Sequence, residues 1–298
     1  MNKRTKIWLI SAASLLLIGA IIFTGAMAIL NWDFTKLSTN KYVVNEYKIE
    51  DSFKNISIIT DTADVLFVPS DTPKVICCEQ ANLKHTVTVQ DDTLVIEMVD
   101  TRKWYEYIGI GFKSTKITVN IPKGEYGALE IKNDTGDVQL SEDFSFEDID
   151  VSESTGTVTC YADAQRIKIK TDTGSICVKG ITVDTLDLSV STGRTELTDI
   201  NCTAVTSKGS TGNITLKNVI AKEKFTITRS TGDVKFDSCD ASEIFVEVDT
   251  GDIKGSLLSE KVFIAKSDTG RVNVPKTTSG GKCELYADTG DIKITVQL

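Results

Sequence analysis

The stretch Ile167-Lys168-Ile169-Lys170-Thr171-Asp172-Thr173-Gly174-Ser175-Ile176-Cys177-Val178 decides the fold. Apolar residues stand seven and five positions before Gly174 and two and four after it. Each arm therefore alternates with a period of two, as a strand with one buried face does. The same pattern returns at Phe225-Thr226-Ile227-Thr228-Arg229-Ser230-Thr231-Gly232-Asp233-Val234-Lys235-Phe236. The central tripeptide [DS]-T-G occurs nine times, at Gly136, Gly156, Gly174, Gly193, Gly212, Gly232, Gly251, Gly270 and Gly290, spaced 18–20 residues apart. Of the 36 flanking positions, all but Thr195, Ser207 and Gly255 are apolar. A unit this short has no room for a helix and cannot fold alone. The expectation is an all-β chain. Its residues 129–298 form a β-solenoid of about nine coils of 18–20 residues, each coil pairing with those above and below. At about 4.8 Å per coil the rod is about 43 Å long.

The turn explains its own composition. Glycine in all nine copies predicts a backbone with positive φ. Asp or Ser two residues earlier is expected to bond the turn amides. The column is rich in acid, and stacking brings Asp249, Asp252, Asp268, Asp288 and Asp291 near one another. An oxygen-rich corner of this kind suits calcium, although Arg271 compensates its neighbours and no dedicated metal loop is present. These five are the weak calcium candidates. No other metal site is expected, and no cofactor.

Residues 41–128 have β patterning without the repeat and are expected to form an irregular cap. Asp61-Thr62-Ala63-Asp64 is a degenerate copy of the turn, and Thr86–Val89 and Leu94–Ile96 flank a hairpin turn. Within this region Trp104-Tyr105-Glu106-Tyr107-Ile108-Gly109-Ile110-Gly111-Phe112 interrupts the pattern. Trp104, Tyr105, Tyr107 and Phe112 are candidates for contact with a partner or a membrane interface. The alternative is that they plug the end of the rod.

At the N-terminus, residues 7–30 carry no charge and follow Lys3, Arg4 and Lys6 in a six-residue basic tail. As a helix the run measures roughly 36 Å, enough to span a bilayer. The preceding cations place the N-terminus in the cytoplasm and everything beyond the 31–40 linker outside it. Ala26-Met27-Ala28 offers the rival reading of a cleaved signal peptide, but the run is longer than the apolar core of such a peptide.

Composition excludes several functions. The chain has 298 residues and a net charge of −9, with 33 Lys+Arg against 42 Asp+Glu. Nucleic-acid binding requires the opposite sign. A single histidine, His85, excludes His-rich metal centres and leaves little room for a His-activated nucleophile. The seven cysteines are an odd number; Cys160 and Cys177 face opposite sides of their strands, and most read as small buried hydrophobes. Cys77-Cys78 is adjacent without forming a C-x-x-C motif.

The final strand, Ile292-Lys293-Ile294-Thr295-Val296-Gln297-Leu298, has nothing after it. It reads as an open edge that pairs with another copy of the chain or with a partner strand; the alternative is that Lys293 and the short tail blunt it locally.

An N-terminal span, a β-rich segment ending in Ile121-Pro122 and repeated [DS]-T-G-[DN]-[VI] turns resemble the bacterial "putative adhesin" family of membrane-anchored β-strand-repeat proteins, over most of 41–298. The resemblance implies a right-handed parallel β-helix on the outer face of the cytoplasmic membrane, with no catalytic residues; some relatives are associated with envelope stress. Thr157, Ser175, Arg194 and Arg271 depart from the acidic residue after the glycine. The resulting expectation is a non-catalytic interaction module of the cell envelope, its partner an unidentified protein or polysaccharide. The alternatives are a carbohydrate-active β-helix enzyme and a sensor domain signalling to a membrane partner.

Overall fold

The computed structural model describes residues 2–37, 41–104 and 114–297. Most of the chain is strand, and all strands join one continuous sheet wound into a solenoid. The nine turn glycines stand in one file. Eight of their amides, all but that of Gly270, donate to the threonine carbonyl of an adjacent coil, as Gly156 N does to Thr173 O at 3.0 Å. Glycine is required twice over. At Gly174 φ is 144°, and a Cβ would lie 1.8 Å from the carbonyl oxygen of Gly156.

Apolar residues flanking the file point inward and stack. Leu129, Ile149, Ile167, Leu186, Val205 and Phe225 succeed one another in register, and all are buried. Outward residues pair their charges across rungs: Arg166 with Asp148 at 2.5 Å and Lys168 with Asp150 at 2.8 Å.

The order of coils along the rod departs from sequence order at both ends. Near the N-terminus, Asn55–Thr62 lies between Thr93–Asp100 and Gly124–Thr135, all parallel. Asp64–Pro69 likewise pairs with Lys116–Ile121 and Val138–Leu140. Solenoid stacking thus begins inside the region expected as irregular, and its degenerate turn joins the file: a Cβ on Gly136 would meet the Ala63 carbonyl. Antiparallel strands complete this end. Leu83–Gln90 forms a hairpin with Thr93–Asp100 through Asp91 and Asp92, both left-handed. Lys74–Gln80 pairs with Lys116–Ile121 on one side and Tyr42–Lys48 on the other.

At the other end the expected open strand is covered over its first two residues. Ile292–Val296 pairs along its length with Ile253–Leu257, and Val272–Asn273 pairs with Ile292 and Lys293 on the other side; Gly281–Thr289 is held between Val234–Thr250 and Lys261–Thr269. The last repeat is inserted beneath the one that precedes it. Two physical causes are visible. The last repeat fills the interior with Cys283, Leu285, Ile292 and Ile294, all buried, whereas its predecessor offers the smaller Ala265 and leaves Phe263 half-buried. Gly280-Gly281 also lets the chain re-enter, since a Cβ at either would lie 1.8 Å from a neighbouring carbonyl oxygen. The terminal edge is therefore Lys261–Thr269 with Val272–Asn273, and it exposes Val262, Ile264 and Val272.

Among the described residues one α-helix, Lys3–Ile29, and a short 3-10 turn, Phe34–Leu37, precede the solenoid. The helix is the apolar segment. Its 27 residues, with a mean hydropathy of 2.3 in the most apolar window and none of that window buried, make it long and apolar enough to cross a membrane.

Candidate functional site

Three regions carry chemistry. In the turn column it is the residue after the glycine, not the one two before it, whose side chain bonds the turn amides. Asp64 Oδ1 accepts from Asp137 N, and Asp137 Oδ1 accepts from Thr157 N at 2.8 Å. The ladder lapses at Thr157, Ser175 and Arg194 and resumes from Asn213 to Asp233 to Asp252 to Asp291 to Arg271. These oxygens satisfy backbone donors that the tight corner leaves over. Of the five calcium candidates, Asp252 is paired with Lys254 and Asp291 with Arg271. Those partners hold both carboxyls below their ordinary value, each helped by a backbone amide. Asp268 pairs with Lys266 at 2.6 Å. Asp249 and Asp288 occupy the same file, and among the described residues no three of these acids converge within 4.8 Å. Arg271 stands beyond Asp291 rather than between it and Asp252, because the final coil is inserted.

The second region is the aromatic segment. Trp104 is 79% exposed. Tyr105, Tyr107 and Phe112 lie outside the described residues.

The third was not anticipated. Lys74–Gln80 directs Val75, Cys77 and Glu79 inward, and Leu83–Gln90 directs His85 to meet them. Glu79 Oε2 accepts from His85 Nδ1 and from the His85 backbone N, both at 2.7 Å, while Glu79 Oε1 accepts from Asn45 at 2.6 Å. In this tautomer His85 Nε2 accepts the Thr60 hydroxyl at 2.9 Å. Cys77 Sγ completes a Cys–Glu–His group within 4.8 Å. Thr60, His85 and Glu79 are linked as a nucleophile, a base and an orienting acid would be. All are buried, however, Thr60 at 3% exposure, so no substrate reaches them. As a metal centre the group is already closed: the nitrogen and carboxylate are spent on each other, and burial beside Glu79 pushes the Cys77 thiol up to about 12. The arrangement is a hydrogen-bonded polar plug joining the cap to the first coil. The signal in the sequence was a glutamate in phase with Val75 and Cys77.

All seven cysteines are free, and five are buried. Burial holds the Cys160, Cys202 and Cys283 thiols up at about 12, as expected of inert core residues.

The solenoid has known counterparts. The Toastrack DUF4097 family model matches residues 53–218 and again 197–297, most of the chain. The chain belongs to the Toastrack DUF4097 family. Solved structures similar to the chain include a putative adhesin from Bacteroides fragilis, 19% identical, covering 87% of this chain and 99% of its own, with a TM-score of 0.43. A second putative adhesin, from Parabacteroides distasonis, is 14% identical and covers 84% and 98%, with a TM-score of 0.43. A putative lipid binding protein from the same organism is 13% identical and covers 87% and 98%, with a TM-score of 0.32. No curated protein matches the chain.

Proposed function

We propose that this Toastrack protein is a membrane-anchored, non-catalytic interaction module of the bacterial envelope. Lys3–Ile29 is its anchor, with the basic residues cytoplasmic, and the solenoid projects outside the cytoplasm. The observation that carries this reading is the edge at the end away from the anchor. Among the described residues Lys261–Thr269 pairs on one side only and exposes Val262 and Ile264; at the end that follows the anchor the antiparallel strands finish in Tyr42–Lys48, which also has a single partner strand and exposes Val44. An unprotected edge with apolar side chains is a template for strand addition. The paired charges along the flanks make those faces hydrated and non-adhesive by comparison. The neighbours described as adhesins agree with this role.

The test uses the full chain in proteoliposomes. We expect vesicle clustering, or capture of envelope polysaccharide without product release, and loss of either in Ile264→Lys. Release of oligosaccharide from the polysaccharide would instead favour an enzyme. In intact cells, protease should reach the solenoid and spare the N-terminal tail.

A further inference from the structure

The distal end of the rod leaves its core open. Lys261–Thr269 turns Phe263 and Ala265 inward, and Val274 continues their ladder beyond the Gly270 corner; all three are only partly buried. The matching residues of the inserted coil, Cys283, Leu285 and Ile294, are fully covered. The outward side is apolar as well. Val262 and Ile264 are exposed, and on the two rungs behind them Tyr286 and Phe245 bring their rings to 6.1 Å. A backbone donor is left over too: among the described residues the Gly270 amide, alone of the nine turn glycines, meets no threonine carbonyl. Natural edges are usually blunted by a bulge, a proline or a lysine. Lys261–Thr269 has no proline, and its register with Gly281–Thr289 has no bulge. Its two lysines are already engaged, Lys261 buried against Asp240 and Lys266 on Asp268, both at 2.6 Å.

The shape selects the occupant. The open end has two arms, Lys261–Thr269 and Val272–Asn273, meeting at the Gly270 corner. A lone partner strand covers one arm and leaves the core open along the other. A coil bent at the same corner covers both, and a second copy of this chain carries such a coil. Head-to-tail stacking is disfavoured, because the opposite end finishes in antiparallel strands rather than in a coil. Two copies instead meet tail to tail about a two-fold axis, which sets identical patches against each other and runs their edges antiparallel. Antiparallel pairing matches the donors and acceptors of one edge with those of an identical edge. Charge does not oppose it, although the chain carries −9 overall. From Lys261 to Val274 the charged residues are Lys261, Lys266, Asp268 and Arg271, each paired within its own chain.

We propose that the distal coil binds the distal coil of a second copy of this chain, giving a tail-to-tail dimer. The inference rests on the reading of this edge as the interaction surface and names its partner. Because the anchor joins the chain at the opposite end, the two anchors of such a dimer point away from each other, and the contact suits chains in two facing membranes.

The experiment is sedimentation velocity of the full chain in detergent over a concentration series, with mixing of two dye-labelled populations of proteoliposomes. We expect a monomer–dimer equilibrium. Its dissociation constant should rise at least ~tenfold in Ile264→Lys, which removes an apolar contact and adds two like charges to the interface. Val44→Lys, on the edge at the other end, should leave it unchanged. Vesicles carrying the protein should cluster with one another and not with bare vesicles. A monomer at every concentration overturns the proposal, as does a dimer unaffected by Ile264→Lys, which the helix or the first strand would be holding. Circular dichroism reports whether Ile264→Lys folds; if it does not, Val262→Lys decides by the same criteria. A chain that stays monomeric yet captures envelope polysaccharide, and loses that capture in Ile264→Lys, overturns self-pairing while keeping the edge as the interaction surface.

Discussion

At the scale of single residues, the exceptions to the repeat explain one another. Thr195 and Ser207 break the apolar columns because the buried Arg229 guanidinium donates to them, at 3.2 Å and 2.8 Å. Gly209 is small because a Cβ there would stand 2.6 Å from Arg229 Nη1. No carboxylate accompanies this charge among the described residues, and burial lowers the Arg229 pKa to about 10. Arg229→Ala should cost about 3 kcal/mol in denaturant unfolding, since it opens a cavity and strands two hydroxyls. Arg229→Leu with Thr195→Val and Ser207→Ala should recover most of that loss, because an apolar replacement removes the desolvation penalty as well.

Two glycines contrast in the same way. Gly174→Ala meets both the wrong φ and the Gly156 carbonyl, and should cost more than about 3 kcal/mol. Gly180 has φ 69° with open space around it, and its counterparts on later coils are Asp199, Asn218 and Ser238, all left-handed. Gly180→Asn should therefore stay within about 0.5 kcal/mol of the parent. Glu153 adds a pH signature. Its carboxyl titrates near 4.5 when unfolded and about 8 when folded, so the folded state retains a proton that the unfolded state releases between those values. Stability should fall as pH rises through that window, by about 2 kcal/mol after allowance for screening by solvent, and then level off. Glu153→Gln should abolish this slope.

At the scale of elements, the inserted final coil makes a prediction that linear stacking contradicts. Glu247 neighbours Tyr286, and Tyr286 neighbours Lys266. Cysteines at 247 and 286 should form a disulfide readily on mild oxidation, mapped by mass spectrometry. Cysteines at 247 and 266, two rungs or about 9.6 Å apart, should not. Had the coils followed sequence order, the outcome would be reversed. The hairpin at Asp91-Asp92 and the strand Lys116–Ile121 were legible from turn residues and alternation. The insertion was not, because every repeat presents the same hydrogen-bonding edge to its neighbours. Which coil lies outermost depends on interior volume, and periodicity does not measure that.

At the scale of the whole molecule, the two ends of the rod finish differently: one in antiparallel strands, of which Tyr42–Lys48 has a single partner, and the other in the parallel strand Lys261–Thr269. Most of the chemistry lies in its interior. The candidates visible beforehand were surface acids, because acid at a turn is conspicuous in a sequence. Asn133, Glu153 and Thr171, which stand three residues before their glycines, succeed one another in register and are all buried, were passed over because position −3 varies from repeat to repeat, and variation reads as solvent exposure. The structure places that position inside, where a polar residue has to be satisfied. A glutamate in phase with buried neighbours was the available clue, both here and at Glu79. Sequence alone determined the winding, the glycine file and the apolar ladders, because each is a local pattern repeated at a nearly constant interval. The order of coils at the two ends, the Arg229 contact and the polar file were decided only by tertiary structure. Each depends on side chains nineteen or more residues apart being pressed together, and on whether the space between them is filled, charged or left without a hydrogen-bond donor.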